Sequence, residues 1–407
     1  MATIRPFEPG DALEVARLFH VVSPESTWPS VEHLAGYIRE VLCDGPWCDP
    51  EIPSWVAVED GKIIGVESVV PRPMMHGKRA IRAAVSCQTY VHPEYRGLAG
   101  IQLTRALLSG PQDVTIADGA SLNGAKVLEA MGSLVSPLHR MSWIRPIRPA
   151  RSALAYAASR RASLRPLAAL GAPFAAAADA CLMRVPPLRC APRLHEEQLD
   201  TANLLAGFEQ LGREFTFKPV YDYDTLDWLL GQLAAKRRHG SLQARLVRDA
   251  SGKVAGWFLY YLNSDLSRVV QLVARKGATR DVLEHLFHHA AEHGAIALEG
   301  RIEPRFTFDM GNMQCFFQSS SELTLLHARD PAVMASLMHG DAFFTRAEGE
   351  WWLRFHGEPH EQAAKTTGPS HPSRSEAAAR SRERPDADRS SLESSAFCLV
   401  PSWARVA

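Results

Sequence analysis

Arg96, Gly97 and Gly100 stand where an apolar strand ending at Val91 gives way to an amphipathic helix that begins at about Gly100, in the run VHPEYRGLAGIQLTRALL. Such a junction points several backbone N–H groups at one spot in front of a helix N-terminus, with the positive end of the helix dipole behind them. A pyrophosphate fits there. The two glycines permit unusual backbone angles and close approach, and Arg96 adds a positive charge at the mouth. The plain alternative is a tight strand-to-helix turn that needs glycine only for its backbone.

Other residue clusters carry weaker chemistry. Cys43 and Cys48, in CDGPWC, lack a second pair of metal ligands. His285, His289 and His293 recur at i, i+4 and i+8, so they share one helix face. With no carboxylate or cysteine partner in view, a solvated face is expected, and no metal. Cys87 has no base near it in sequence and reads as a buried structural thiol.

The elements around the glycine turn follow from periodicity. Ile4 and Phe7 precede the turn Pro9-Gly10-Asp11, after which Ala12, Val15, Ala16, Leu18 and Phe19 fall at helical spacing, with Asp11 a candidate N-cap. A second helix is expected from His33 to Leu42. SWVAVEDGKIIGVESVV is a hairpin about the turn Glu59-Asp60-Gly61-Lys62, and a third strand runs from about Ile81 to Val91. Beyond the glycine turn, QDVTIADGASLNGAKVLEAMGSLV predicts a buried strand Val114 to Ala117, a polar turn and a helix stopping near Gly132. A strand from Met141 to Ile147 would close the first domain.

The second half repeats this pattern. ARLVRDASGKVAGWFLYYL has the strand, turn and strand of the first hairpin, with Gly256 placed as Gly65 is, and a strand Val269 to Ala274 and a helix Asp281 to His293 follow. The copy is expected to end with a strand around Glu350 to Phe355. Between the halves, residues 148–195 are rich in alanine, arginine and proline; Pro166, Pro173, Pro186 and Pro187 should cut any helix into short pieces. That stretch reads as a helical linker, with peripheral membrane contact through 148–185 the lesser alternative. Residues 357–407 are polar and rich in proline and serine, and are expected to be disordered.

This order resembles that of the GNAT acyltransferases. The resemblance rests on IRPFEPGDALEVARLF, WVAVEDGKIIGVESVV, VHPEYRGLAG and SLNGAKVLEAMG; it covers residues 1–147, and it extends to residues 196–356 only by architecture. It implies an α/β fold with a mixed α+β sheet, in a tandem of two GNAT-like domains of which the second is degenerate. It also implies acetyl-CoA as acyl donor: Tyr90 and Val91 would pair with the pantetheine arm, Arg96, Gly97, Leu98, Ala99, Gly100 and Ile101 would cradle the phosphates, and Asn123 would bond the cofactor. Read from Arg96, Ala99 stands at the family's first glycine and Ile101 at its second small residue. The turn KGATRDVLEHL of the second half has one glycine before its helix.

Acyl transfer to an amine needs a base, an oxyanion donor and an acid for the thiolate. Glu67, on the strand Ile63 to Val70, and Asp118, at the end of a buried strand, are the candidate bases. The tyrosine that the family often uses as acid corresponds here to Leu128. The expected activity is N-acetyl transfer to an amine, with a small molecule or an amino sugar preferred. Two other readings stand beside it: a non-catalytic acyl-CoA-binding or regulatory protein, and a tRNA-dependent aminoacyltransferase of the peptidoglycan-bridge type.

Bulk properties set limits. A chain of 407 residues, 46% hydrophobic, is long enough for two cores. Lys plus Arg, at 45, equals Asp plus Glu, at 45, so no global field attracts nucleic acid. Seven cysteines without regular spacing fit a reducing compartment. With no secretory signal and no long apolar run, a cytoplasmic protein without a transmembrane segment is expected.

Overall fold

A computed structural model describes residues 2–24, 28–182, 193–320 and 322–355. In chain order the first half contains β1 (Thr3–Pro6), α1 (Ala12–Val22), α2 (Val31–Leu42), β2 (Trp55–Glu59), β3 (Lys62–His76), β4 (Arg79–Val91), α3 (Leu98–Leu108), β5 (Val114–Ala120), α4 (Leu122–Ala130), β6 (Leu134–Val135) and β7 (Met141–Pro146). Two helices follow, α5 (Pro149–Arg160) and α6 (Arg165–Leu182). The second half contains β8 (His195–Gln198), α7 (Thr201–Leu211), β9 (Phe217–Pro219), α8 (Tyr223–Ala235), β10 (Ser241–Arg248), β11 (Val254–Leu262), β12 (Ser267–Ala274), α9 (Thr279–Glu292), β13 (Ala297–Arg301), α10 (Thr307–Asn312), β14 (Phe316–Ser319), β15 (Leu323–Ala328) and α11 (Pro331–Met338).

Local chemistry explains the main elements. Asp60 and Gly61 both take positive φ, 51° and 76°, which is the two-residue hairpin turn that matches the twist of β2 and β3. Ser30 caps α2 by accepting from the His33 N–H, and Leu34, Ile38, Val41 and Leu42 bury one face of that helix. Asp11 stands at the N-cap of α1 as expected, but its side chain makes no capping bond to that helix. Its carboxylate instead accepts from the Glu8 N–H at 2.8 Å and from the Arg5 guanidinium. The stop at Gly132 is realised with φ 92°.

The two halves build sheets of the same order. The first runs β1-β2-β3-β4-β5-β15-β6, with β9 added along β3; the second runs β8-β10-β11-β12-β13-β7-β14. Position by position they correspond, except that the penultimate strand of each comes from the other half. The strand 141–146, expected to close the first sheet, therefore lies between β13 and β14 of the second, and β15 lies between β5 and β6 of the first. Both strands alternate apolar residues in a way that suits either sheet, so pairing partners and not pattern decide their place.

Two other expectations are corrected. Residues 350–355 form turns, not a closing strand; the aromatic run Trp351-Trp352 suited a strand by composition, but Trp352 is instead buried edge-on to Trp47 and Trp228. Pro166 and Pro173 do not cut the linker: α6 passes through Pro173 for 18 residues, while Pro186 and Pro187 lie outside the described residues. Pro166 sits in its first turn, where no N–H is required, and Ala169, whose carbonyl loses its partner, is exposed to water. Residues 357–407 lie outside the described residues.

Candidate active site

β4 is bonded to β3 along its whole length as far as Val91, which faces Gly65. On its other side it pairs in parallel with β5 only from Ala83 to Ser86, opposite Val114 to Ala117. The pairing with β3 skips Cys87, a β-bulge that turns the strand, and beyond it β4 and β5 part. Gln88 to Val91 thus present backbone groups with no strand on that side, which is the edge an extended ligand arm can pair with.

The open edge leads into the turn expected to hold phosphate. Gly97 has φ 107°, a region that side chains with a Cβ rarely enter, and it stands as N-cap of α3. A Cβ on Gly97 would meet nothing, and one on Gly100 only Val91 at 3.8 Å, so open space lies over the turn. Ala99 is buried with Ala57, Ile64 and Leu103. Its methyl faces the sheet and stays out of the cradle, and alanine at the expected glycine position does not obstruct it. Arg96 and Leu98 are exposed, Ile101 lies at the rim, and Asn123 is exposed in the first turn of α4. Leu128 is in the core with Ala125 and Leu325. These features fit an acyl-CoA: Arg96 and the N–H groups of Leu98, Ala99 and Gly100 can bind the diphosphate, and the edge from Gln88 to Val91 can bind the arm.

The carboxylates meet at the splay. Glu67 is 1% exposed and accepts from the Ser86 hydroxyl at 2.6 Å and the Thr89 hydroxyl at 2.7 Å. Burial raises its pKa, and the two hydroxyls oppose the rise. Asp118, on the β5 wall, accepts from Arg301 of β13 at 2.8 Å. Cys87 is buried, and burial with the nearby carboxylates Glu350, Glu67 and Asp118 pushes its thiol well above the ordinary value. Tyr90 packs edge-on against Phe19 and donates its hydroxyl to Gln88; burial, with Glu350 nearby, raises it as well.

The third carboxylate, Glu350, was not legible in the sequence. It belongs to the stretch after α11, which runs across both sheets. Arg72 holds that stretch by donating to the Ala347 carbonyl at 3.1 Å while stacking on Trp47. Glu350 and Asp118 are seated reciprocally: a Cβ on Gly119 would fall 1.8 Å from Glu350 Oε1, and one on Gly349 would fall 1.8 Å from Asp118 Oδ2. Glu350 keeps some solvent contact, yet protein surrounds its carboxyl on most sides. Burial first, then the charges of Asp118, Glu322 and Glu67, push its pKa well above the carboxylate range, with Lys236 opposing.

The second half has the same splay, and it is filled. β11 and β12 pair around a bulge at Val270, and β12 and β13 pair only at Ser267 and Arg268. Arg346 lies at that edge: its N–H donates to the Val270 carbonyl at 3.2 Å and its guanidinium to the Val269 carbonyl and to Glu299. The turn before α9 carries Gly277 at φ 82°, but α9 starts from a buried Ala278. Among the described residues no open edge like that of β4 remains here, because Arg346 occupies it.

The expected solvated histidine face is corrected. His285 and His289 are buried, the first bonded to Glu196 at 2.8 Å and the second to the Tyr260 hydroxyl at 2.9 Å. The face packs on β11 and β8, so the period was right and the side chosen for water was wrong. Among the described residues no group of three or more histidines, cysteines or carboxylates is placed to hold a metal.

A bulged, splayed pair of parallel strands, with a glycine turn and helix at its open end, is the architecture of the GCN5-related N-acetyltransferases. This chain has that fold, in a tandem whose second copy has its splay closed. A GCN5-related N-acetyltransferase from Kribbella flavida superposes with a TM-score of 0.53 at 14% identity, over 83% of this chain and 74% of that one. Another, from Anabaena variabilis, gives 0.53 at 12% identity over 81% and 74%. A probable N-acyltransferase from Enterococcus faecalis gives 0.53 at 9% identity over 84% and 74%. No protein-family model matches the chain, and no curated protein matches it either.

Proposed function

We propose that the protein is an acyl-CoA-dependent N-acyltransferase that takes acetyl-CoA as donor and an amine as acceptor, with a small molecule or an amino sugar preferred. The observation that carries this reading is the free edge of β4 from Gln88 to Val91, running directly into the Arg96 to Ile101 turn at the N-terminus of α3. The donor supplies an activated thioester carbonyl. Tyr90, Val91, the turn and Asn123 would hold the donor, while Glu67 and Glu350, neither paired with a cation among the described residues, make the inner end of the cleft acidic beside the Asp118–Arg301 pair. That field attracts an ammonium and repels a phosphate backbone, which disfavours transfer RNA as donor. The catalytic unit is residues 1–147 without β7, completed by β15, with the remainder of residues 196–356 shaping the acceptor side.

The test is calorimetric titration of acetyl-CoA into the full chain, beside a Gly97→Glu, Gly100→Glu double variant. Micromolar binding in the wild type that disappears in the variant is expected. A folded wild type that binds no acyl-CoA would overturn the reading.

A further inference from the structure

Four carboxylates gather at the splay; Glu322 is exposed to solvent, and two of the other three are already committed. Glu67 accepts two hydroxyl bonds, and Asp118 is paired with Arg301. Either would have to surrender a bond to take up a proton from a ligand. Glu350 makes no side-chain hydrogen bond or ion pair among the described residues, and its carboxyl lies against Gly119 on the β5 wall. It arrives from the stretch that fills the second splay with Arg346, so one segment closes one cleft and arms the other.

Resting on the acyltransferase reading above, we infer that Glu350 is the group that accepts the proton of the attacking amine, and that the acceptors are amines that arrive as cations. The groups facing it are Asp118 and Glu67 from the first sheet, Glu322 ahead of β15, Cys87 and Tyr90 of β4, and Lys236, whose ammonium is bonded to the Leu353 carbonyl. In these surroundings the neutral acid is favoured until a cation enters. An ammonium bound at the splay reverses that preference, and Glu350 releases its proton to solvent. The carboxylate so formed takes one proton from the ammonium. The freed lone pair forms the N–C bond, the C–S bond breaks with its electrons on sulfur, and the second nitrogen proton passes through water to the thiolate. Glu350 returns to the acid it began as, and one proton is released overall.

Two measurements on the full chain decide this. Thiol release from acetyl-CoA is followed against pH for a polyamine, an amino sugar and a lysine-bearing peptide, in wild type, Glu350→Gln and Glu350→Asp. The isosteric glutamine should lower kcat/KM about a hundredfold or more and remove a rise with pH that lies above the usual carboxylate range, while aspartate keeps the rise at a reduced rate. Separately, the best amine is titrated into CoA-loaded protein in two buffers of different ionisation enthalpy. Wild type should release a proton on binding and Glu350→Gln should not. An unchanged pH profile in Glu350→Gln, or equal proton release, would overturn the role of Glu350 and leave the acyltransferase reading intact. If acetyl-CoA itself failed to bind in the donor titration, both would fall.

Discussion

Asp118 of β5 and Arg301 of β13 meet at 2.8 Å with side chains 1% and 13% exposed, so the splayed sheet and the second sheet are joined by a buried ion pair beside the cleft. Arg301 also lies over the Phe344 ring. The pair neutralises one of the four carboxylates and leaves the cleft with less repulsion than its composition would give.

Removing one partner should therefore cost more than removing both. Arg301→Met leaves Asp118 enclosed without its partner, and we expect a loss of ~3–5 kcal/mol in urea unfolding. Asp118→Asn combined with Arg301→Met should recover part of that loss. Additive effects across the double-mutant cycle would show that the pair is not coupled.

Gly119→Ala tests the seat of Glu350. The added methyl would fall 1.8 Å from Glu350 Oε1, the far end of a flexible side chain, so the carboxyl swings aside while the backbone stays. Turnover should drop about tenfold or more, since misplacing a catalytic group by about 1 Å can cost 10²-fold. Acetyl-CoA affinity, which the proposed reading assigns to the α3 turn some distance away, should hold within about twofold. Equal loss of both would mean that the substitution deforms β5 itself.

Glu303 gives a pH dependence with a definite sign. Burial raises it from 4.5 to about 7, against the opposing charge of Arg305, and its Oε1 is buried without a partner among the described residues. Between those two values the folded chain holds more protons than the unfolded one, so stability falls as pH rises from about 4.5 to about 7 and is level above. Glu303→Gln removes the penalty. Urea midpoints should agree at pH 4.5, while at pH 8 the variant should be more stable by up to ~3 kcal/mol. A variant that is no more stable at pH 8 would show that Glu303 ionises freely in the fold.

The glycine turn before α3 was legible because its signal is local. Only glycine suits the backbone of Gly97, and an apolar strand followed at once by an amphipathic helix fixes where the turn lies. The duplication was legible for the same reason, since each hairpin carries its own turn chemistry. The exchange of β7 and β15 was not, because Met141 to Pro146 would bury the same face beside β5 as beside β13. Glu350 was hidden by its neighbours: Trp351 and Trp352 look like strand residues, and nothing near them in sequence points to a cleft built from β4 and β5. The histidine face shows the general limit. Spacing placed His285 and His289 together, but which side of α9 meets water depends on Glu196 and Tyr260, which lie far along the chain.

The traded penultimate strands bear on how the chain can be taken apart. In the second sheet Trp143 of β7 lies directly over Gly300, where an added Cβ would stand 2.7 Å from the indole, so the guest strand is fitted to its host by the absence of a side chain. Neither half is a separable module. A first half made alone would carry β7 with no sheet to receive it and would expose the bare flank of β5, an invitation to stick to other chains. Severed between α6 and β8, the two pieces should survive only as mutual lodgers: co-produced, they would stay together through purification and melt in one step, and produced singly each would precipitate.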